Sequence, residues 1–346
     1  MLNEQLQFID SIAAIDADNR SRSYIQEVEF RHHLGRGHAW QGGLTHTWQE
    51  AQASGFASIR PQQQQAALWM SYRYTSSRHP WTYALSLRQG WNPAQDIPLT
   101  PDLSLRGQLA RKLYLRAQAG RSFRLPTFND RYWNPGGNPD LLPEQGWHQE
   151  IGLDFIPRRW QFHLTSFHQL IDQWIQWRPG PSYWFPENLR KVRSLGLESS
   201  AAYSFKVGGW RGDLTAAHTL TRARSVEVVQ ARDASLDKQL IYTPAHQGRV
   251  GITAFRRSWQ MAYGHAWTGR RYTTSDNAFF LQAYQAAHFS MQYVFRRQRW
   301  QARMGGRIDN LWNADFQVIE NRPIPPRSYR LTLSFQFHQP IPQSNL

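Results

Sequence analysis

A chain of 346 residues with 40 % hydrophobic residues and a mean hydropathy of −0.65 has room for one large or two ordinary domains. It has no run of about 18 apolar residues, which excludes a transmembrane helix, and no cysteine, which excludes disulfides and thiolate metal sites. The formal charge of +15 points first to nucleic acid or an anionic surface, but the cations are spread along the chain and do not form one run.

A transmembrane β-barrel passes all of these tests. Only alternate residues of its strands face lipid, so each span needs about 10 residues of alternating pattern and the average hydropathy stays low. Aromatic residues make up 14 % of the chain, with 16 Trp and 14 Tyr, and such a content suits interfacial girdles.

The first twenty residues, MLNEQLQFIDSIAAIDADNR, lack a basic segment followed by an apolar one and do not read as a secretory signal. Residues 1–21 are expected to be a loop or the end of a preceding strand, with Gln5–Ile15 as the candidate. From there period-2 patterns predict strands near 22–33, 36–49, 62–75, 78–91, 99–110, 112–124, 146–157 and 159–176. The pattern continues at 190–206, 209–223, 244–256, 258–271, 279–295, 298–313 and 325–338. Very short links (Leu34-Gly35, Ser76-Ser77, Arg111, Arg158, Lys206 to Gly209, Arg257, Arg296-Arg297) alternate with long ones at 50–61, 92–98, 125–145, 177–189, 224–243, 272–278 and 314–324. Brief periplasmic turns and extended outer loops give an outer-membrane barrel this alternation. In the last strand Tyr329, Leu331, Leu333, Phe335 and Phe337 alternate with Arg330, Thr332, Ser334 and Gln336, predicting an apolar lipid face and a polar interior face. Residues 339–346 are left as a tail.

The most specific stretch is Gly120 to Glu144, GRSFRLPTFNDRYWNPGGNPDLLPE. An alternating strand runs into Phe123-Arg-Leu-Pro-Thr, Pro126 ends the pairing because it has no N–H, and a turn-rich loop follows. This segment resembles the signature of TonB-dependent outer-membrane receptors, in which a strand ends in F-R-x-P-T and the next begins after G-N-P-x-L-x-P-E. The match includes Phe123, Arg124, Pro126, Thr127, Gly137, Asn138, Pro139, Leu141, Pro143 and Glu144. Leu240 to His246 (LIYTPAH) is similar to the family's late P-Y-T-P-x-H entry, and Asn310 to Val318 with Asn321-Arg-Pro323 and Arg327-Ser-Tyr-Arg330 is similar to its closing segment. The likeness covers roughly residues 20–338.

The resemblance implies an all-β fold, an antiparallel transmembrane barrel with about 15–16 of an expected 22 or so strands and no plug domain. Residues 22–338 would be the C-terminal part of such a barrel. The implied function is outer-membrane uptake of a scarce bulky nutrient, an iron–siderophore, cobalamin or similar chelate. The implied partners are outer-membrane lipid, the chelate, and the TonB system through a plug absent from this chain; nucleic acid is not among them. No enzyme activity, cofactor or metal site is implied. The motif residues Phe123, Arg124, Pro126, Thr127, Gly137, Asn138, Pro139 and Glu144 either shape a loop and rim or face ligand. Trp133, Tyr183, Trp184 and Phe185 are expected outer-loop ligand contacts. Two competing classes are a passive porin-like barrel of about 16 strands and a soluble basic β-protein binding nucleic acid, which steep salt-dependent DNA binding would reveal.

Other chemistries find little support. His32, His33 and His38 flank one short turn and fall on different faces, so they do not converge as metal ligands. No G-x-S-x-G elbow exists, and Gly35-Arg-Gly37 and Gly136-Gly137 lack the following helix of a phosphate loop.

Overall fold

A computed structural model gives the fold; it describes residues 2–9, 14–76, 78–227, 234–297 and 300–337, with side chains from residue 18 onward. The 339–346 tail and Ser77 of the second tight link lie outside the described residues. The first strands are β1 (Leu2–Ile9), β2 (Ala14–Gly35), β3 (His38–Ala53), β4 (Gln62–Thr75), β5 (Trp81–Trp91), β6 (Thr100–Ala110) and β7 (Leu113–Arg124). A short helix α1 (Phe128–Tyr132) leads to β8 (Glu144–Phe155), β9 (Trp160–Pro179), β10 (Trp184–Val207) and β11 (Trp210–Glu227). Then come β12 (His246–Arg256), β13 (Trp259–Thr268), β14 (Arg271–Tyr272), β15 (Phe280–Leu281), β16 (Tyr284–Arg296) and β17 (Trp300–Asp309). The chain closes with β18 (Gln317–Ile319), β19 (Arg322–Pro323) and β20 (Ser328–Phe337).

Sixteen of these form one sheet in which sequence neighbours are spatial neighbours, from β1 through β13 to β16, β17 and β20. The pairs β14–β15 and β18–β19 are separate two-stranded ribbons within long links. The count agrees with the alternating pattern, and β4 coincides with its predicted span. At the start, β1 pairs antiparallel with β2 from Leu2↔Ser21 to Ile9↔Ala14, so residues 14–21 belong to β2 and the strand begins before residue 22. Asp16, Asp18 and Asn19 weaken the local strand pattern there, and cross-strand pairing overrides it. The predicted 177–189 link shrinks to residues 180–183, because β9 reaches Pro179 and β10 starts at Trp184. Prolines at 179, 181 and 186 read as loop, yet Pro179 and Pro186 sit near strand ends.

The chain divides into two compact units: Met1–Gly152 with Phe167–Leu195 and Ala223–Lys238, and Leu153–Ser166 with Gly196–Arg222 and Gln239–Leu346. In the first unit the register aligns like with like. Val28 faces Leu44, which faces Leu68; Met70 faces Leu87. On the opposite face Glu27 lies across from Thr45, Thr47 from Gln65, and Ser71 from Ser86. The apolar residues are not a core: Val28 is 71 % exposed, Leu44 58 % and Leu68 50 %.

The second unit repeats the arrangement. One row runs Ile252–Tyr263–Phe289–Ile308–Tyr329 and the next Met261–Met291–Gly306–Leu331. The other face carries Gln292, Gly305 and Thr332 in one row and Ser290, Arg307 and Arg330 in another. The two predicted residue sets of β20 therefore fall on opposite faces, each in register with its own kind on β17. A soluble sheet packs its apolar face away from water, whereas this one leaves Met291, Met304, Leu331 and Leu333 exposed on its apolar face. No helix of the described residues is long and apolar enough to cross a membrane, so strands are the elements that could do so.

Candidate functional site

The motif segment, within the first unit, builds its geometry from the end of β7. Leu125 and Pro126 are buried as the ladder stops, and Thr127 caps α1. The Thr127 hydroxyl accepts from the Asp130 N–H at 3.1 Å, while Asp130 Oδ2 accepts from the Thr127 N–H at 2.9 Å. This reciprocal capping box holds a helix of only five residues.

Two buried carboxylates share one guanidinium. Arg124 Nε donates to Glu144 Oε2 at 2.7 Å and Nη2 to Glu144 Oε1 at 2.6 Å, a bidentate pair. Arg124 Nη1 reaches Asp130 Oδ2 at 3.5 Å. Glu144 Oε1 also accepts the Ile175 N–H at 2.7 Å, and Asp130 Oδ1 accepts the Trp177 indole N–H at 2.8 Å. The start of β8, the end of β7, α1 and β9 are thus tied through charges placed twenty residues apart in sequence. Each carboxylate accepts from three donors, so the cluster ties the loop to the strands around it.

The rest of the motif completes the loop. Asn138 donates its N–H to Asp130 O at 2.8 Å, its side-chain oxygen accepts from Asp140 N at 3.0 Å, and Pro139 O accepts from Arg131 at 3.0 and 3.2 Å. A Cβ at Gly137 would lie 2.5 Å from Trp133 N. At Gly136 it would lie 2.2 Å from Trp184 O, with φ at +117°. Glycines at 136–137 therefore let the loop tip touch the β9–β10 hairpin. The structure accordingly brings Trp133, Tyr183 and Trp184 around that tip, while Phe185 lies against Gly180. Tyr183 and Trp133 are among the exposed large side chains. Phe123, Arg124, Pro126 and Thr127 line a cavity of about 440 Å³ together with Ser21, Ser23, Gln49, Gln63 and Gln65 from the polar face of β2–β4.

Sequence reasoning missed Asp130, Asn188 and Gln95. The Thr127-x-x-Asp130 spacing was a usable capping signal. Asn188 carried none, yet its amide donates to Gln173 O at 2.7 Å and Leu142 O at 3.1 Å and accepts from Leu142 N at 2.9 Å. Gln95 Nε2 donates to Leu141 O at 2.8 Å, and Leu141 is 1 % exposed.

In the second unit the two other resembling segments form a second polar knot. Buried Arg271 donates to the carbonyls of Gln282, Gln317 and Val318 at 3.0–3.2 Å and lies 4.7 Å from the Tyr284 ring centroid, which stacks on Phe316 at 3.9 Å. Burial lowers the Arg271 pKa, while the Tyr284 and Tyr242 hydroxyls oppose that shift; burial pushes the Tyr242 phenol upward. Gln239 and Asn277 exchange backbone–amide bonds at 2.9 Å, and Tyr242 N donates to Tyr272 O at 2.8 Å. No cluster of metal-ligating side chains occurs among the described residues. His38 Nδ1 lies 2.6 Å from the Tyr72 hydroxyl, while His32 and His33 are exposed.

This sheet and its alternating faces are those of an antiparallel β-barrel wall. The chain belongs to the TonB-dependent receptor-like β-barrel family, whose model matches residues 5–311. Barrels of this family are outer-membrane proteins. The chain is 28 % identical over 301 residues to the vitamin B12 transporter BtuB of Photobacterium profundum, spanning 86 % of this chain and 47 % of that one. It is 35 % identical over 89 residues to BtuB of Vibrio vulnificus, 25 % of this chain and 14 % of that one. Among solved structures the fold is like the copper transporter OprC (TM-score 0.71, 14 % identity, 94 % of this chain and 58 % of that one). It is also like the siderophore receptor PirA of Acinetobacter baumannii (TM-score 0.69, 13 % identity, 95 % and 56 %). The chain thus spans about half the length of the relatives it matches.

Proposed function

We propose that this chain is barrel wall and outer-loop surface of an outer-membrane receptor for a scarce bulky chelate, with a corrinoid as the first candidate and ferric siderophores as the second. The single observation that carries it is the motif loop. A charge clamp fixes a glycine-rich tip that meets the backbone of Trp133 and Trp184 and the Tyr183 ring, and all three side chains are exposed. Rigid aromatic surface suits a large planar or chelated ligand, because little side-chain entropy is lost on contact. The cobalamin candidate comes from the vitamin B12 transporter relatives, and the siderophore candidate from the fold neighbour PirA. On this reading the apolar rows face lipid and the polar rows the interior. The energy-coupling TonB system is a partner of the whole receptor, and no bond is made or broken by the wall. The sixteen-stranded sheet keeps a passive pore as the second reading.

The test is equilibrium binding to the detergent-held chain. Cyanocobalamin, ferric enterobactin and a DNA duplex are titrated in parallel. The proposal expects saturable binding of one chelate, weakened about tenfold by Trp184→Ala, a loss typical of a contacting aromatic. Salt-sensitive DNA binding without any chelate binding would overturn it.

A further inference from the structure

The basic residues at the tight turns are not used by the motif loop. In the second unit, the links β8–β9, β10–β11, β12–β13 and β16–β17 all fall at one end of consecutive antiparallel hairpins. Their sequences repeat one scheme, a Phe, a short basic turn and a Trp: Phe155-IPRR-Trp160, Phe205-KVGG-Trp210, Phe255-RRS-Trp259 and Phe295-RRQR-Trp300. None of the four contains Asp or Glu, whereas Asp276, Asp315 and Glu320 sit in the long links at the other end. Arg158, Arg159, Lys206, Arg256, Arg257, Arg296 and Arg297 are all exposed, and none makes an ion pair among the described residues. The aromatics lie directly beside them. The Arg256 guanidinium is 5.8 Å from the Trp210 ring centroid, Trp160 packs on Tyr203 at 4.4 Å, and Trp259 on Tyr293 at 4.7 Å. The first unit, taken by itself, puts Arg36, Arg78 and Arg111-Lys112 in its own tight turns.

We propose that this turn edge is a binding surface for anionic phospholipid headgroups. The proposal rests on the reading of the chain as a membrane-spanning wall. Trp and Tyr settle at the level where hydrocarbon gives way to headgroups, and the cations lie a residue or two beyond them. Whatever neutralises those cations must therefore sit at the border of the apolar layer, and lipid phosphates do. An acidic soluble partner would need no aromatic rim. Each basic residue at such a surface strengthens attraction by about fivefold, and the effect is screened by salt.

The full chain in neutral detergent micelles is titrated with phosphatidylglycerol or phosphatidylcholine, and bound lipid is counted by native mass spectrometry. The expected result is a preference for phosphatidylglycerol of about tenfold or more at low salt, lost near 0.5 M salt. The combined substitutions Arg158→Gln, Arg257→Gln and Arg297→Gln should remove it. The matched set Arg270→Gln, Arg322→Gln and Arg327→Gln, in or beside the long links, should not. If the triple variant misfolds, single Arg297→Gln and the salt series of the unaltered chain decide. Equal affinity for both lipids, equal loss in both variant sets, or salt-sensitive binding of polyglutamate in place of lipid overturns the proposal. A chain that stays soluble without detergent sinks the membrane reading as well, whereas a folded, detergent-held chain without preference sinks this proposal alone.

Discussion

Arg124 is half-exposed, yet it neutralises two carboxylates that are nearly sealed from water, Asp130 and Glu144. Removing the cation leaves buried negative charge, which costs more than the pair contributed. Arg124→Ala is expected to destabilise the loop by about 2–3 kcal/mol, read as faster proteolysis between residues 125 and 145, while Arg124→Lys recovers only part because it cannot bind Glu144 in bidentate fashion. Gly136→Ala should also loosen the loop, by roughly 1–3 kcal/mol, since its Cβ would press on Trp184 O at a left-handed φ. Cleavage rates unchanged from the parent in both variants would contradict the clamp. From the sequence, Arg124 and Glu144 stood out only through the family motif. Their partner Asp130 did not, because hydrogen bonds that converge from β7, α1 and β9 leave no spacing to read.

At the scale of elements, the strands were legible because period-2 alternation survives wherever one face is apolar and the other polar. β4 was legible to the residue, and β5, β6, β12 and β17 lost only residues at their ends. The long links were less legible. The predicted 258–271 strand stops at Thr268, where Gly269 N turns back to His246 O, and Arg271–Tyr272 joins its own ribbon with Phe280–Leu281. A buried arginine organising three carbonyls leaves no periodic trace. The face assignment makes its own prediction. Leu333→Arg should cost about 2–4 kcal/mol of folding into bilayers if it lies near the midplane, and Thr332→Arg little. Equal costs, measured by refolding into lipid vesicles, would mean the apolar row of β20 does not face lipid.

At the scale of the molecule, the chain matches a family of receptor barrels over residues 5–311 and about half the length of its vitamin B12 transporter relatives. Sixteen strands among the described residues form one sheet, where plugged transporters have 22 or so. Expressed in the outer membrane of cells lacking their own receptors, residues 1–346 alone are expected to give no TonB-dependent growth on cobalamin or ferric chelates. Such growth on any of them would show that the wall described here suffices for energised uptake.

On the proposed reading the apolar rows of each unit face outer-membrane lipid, the long links open to the outside and the tight turns to the periplasm. Cysteine labelling of intact cells that carry the chain in the outer membrane tests it most directly. Asp140, Ser182 and Leu236 are exposed positions in the long links. Lys206 and Arg297 are exposed at the tight turns. Cysteines at the first three positions should react with a membrane-impermeant maleimide, and those at Lys206 and Arg297 only after the outer membrane is opened. Labelling of the tight-turn pair in intact cells, with the long-link positions protected, would contradict the account.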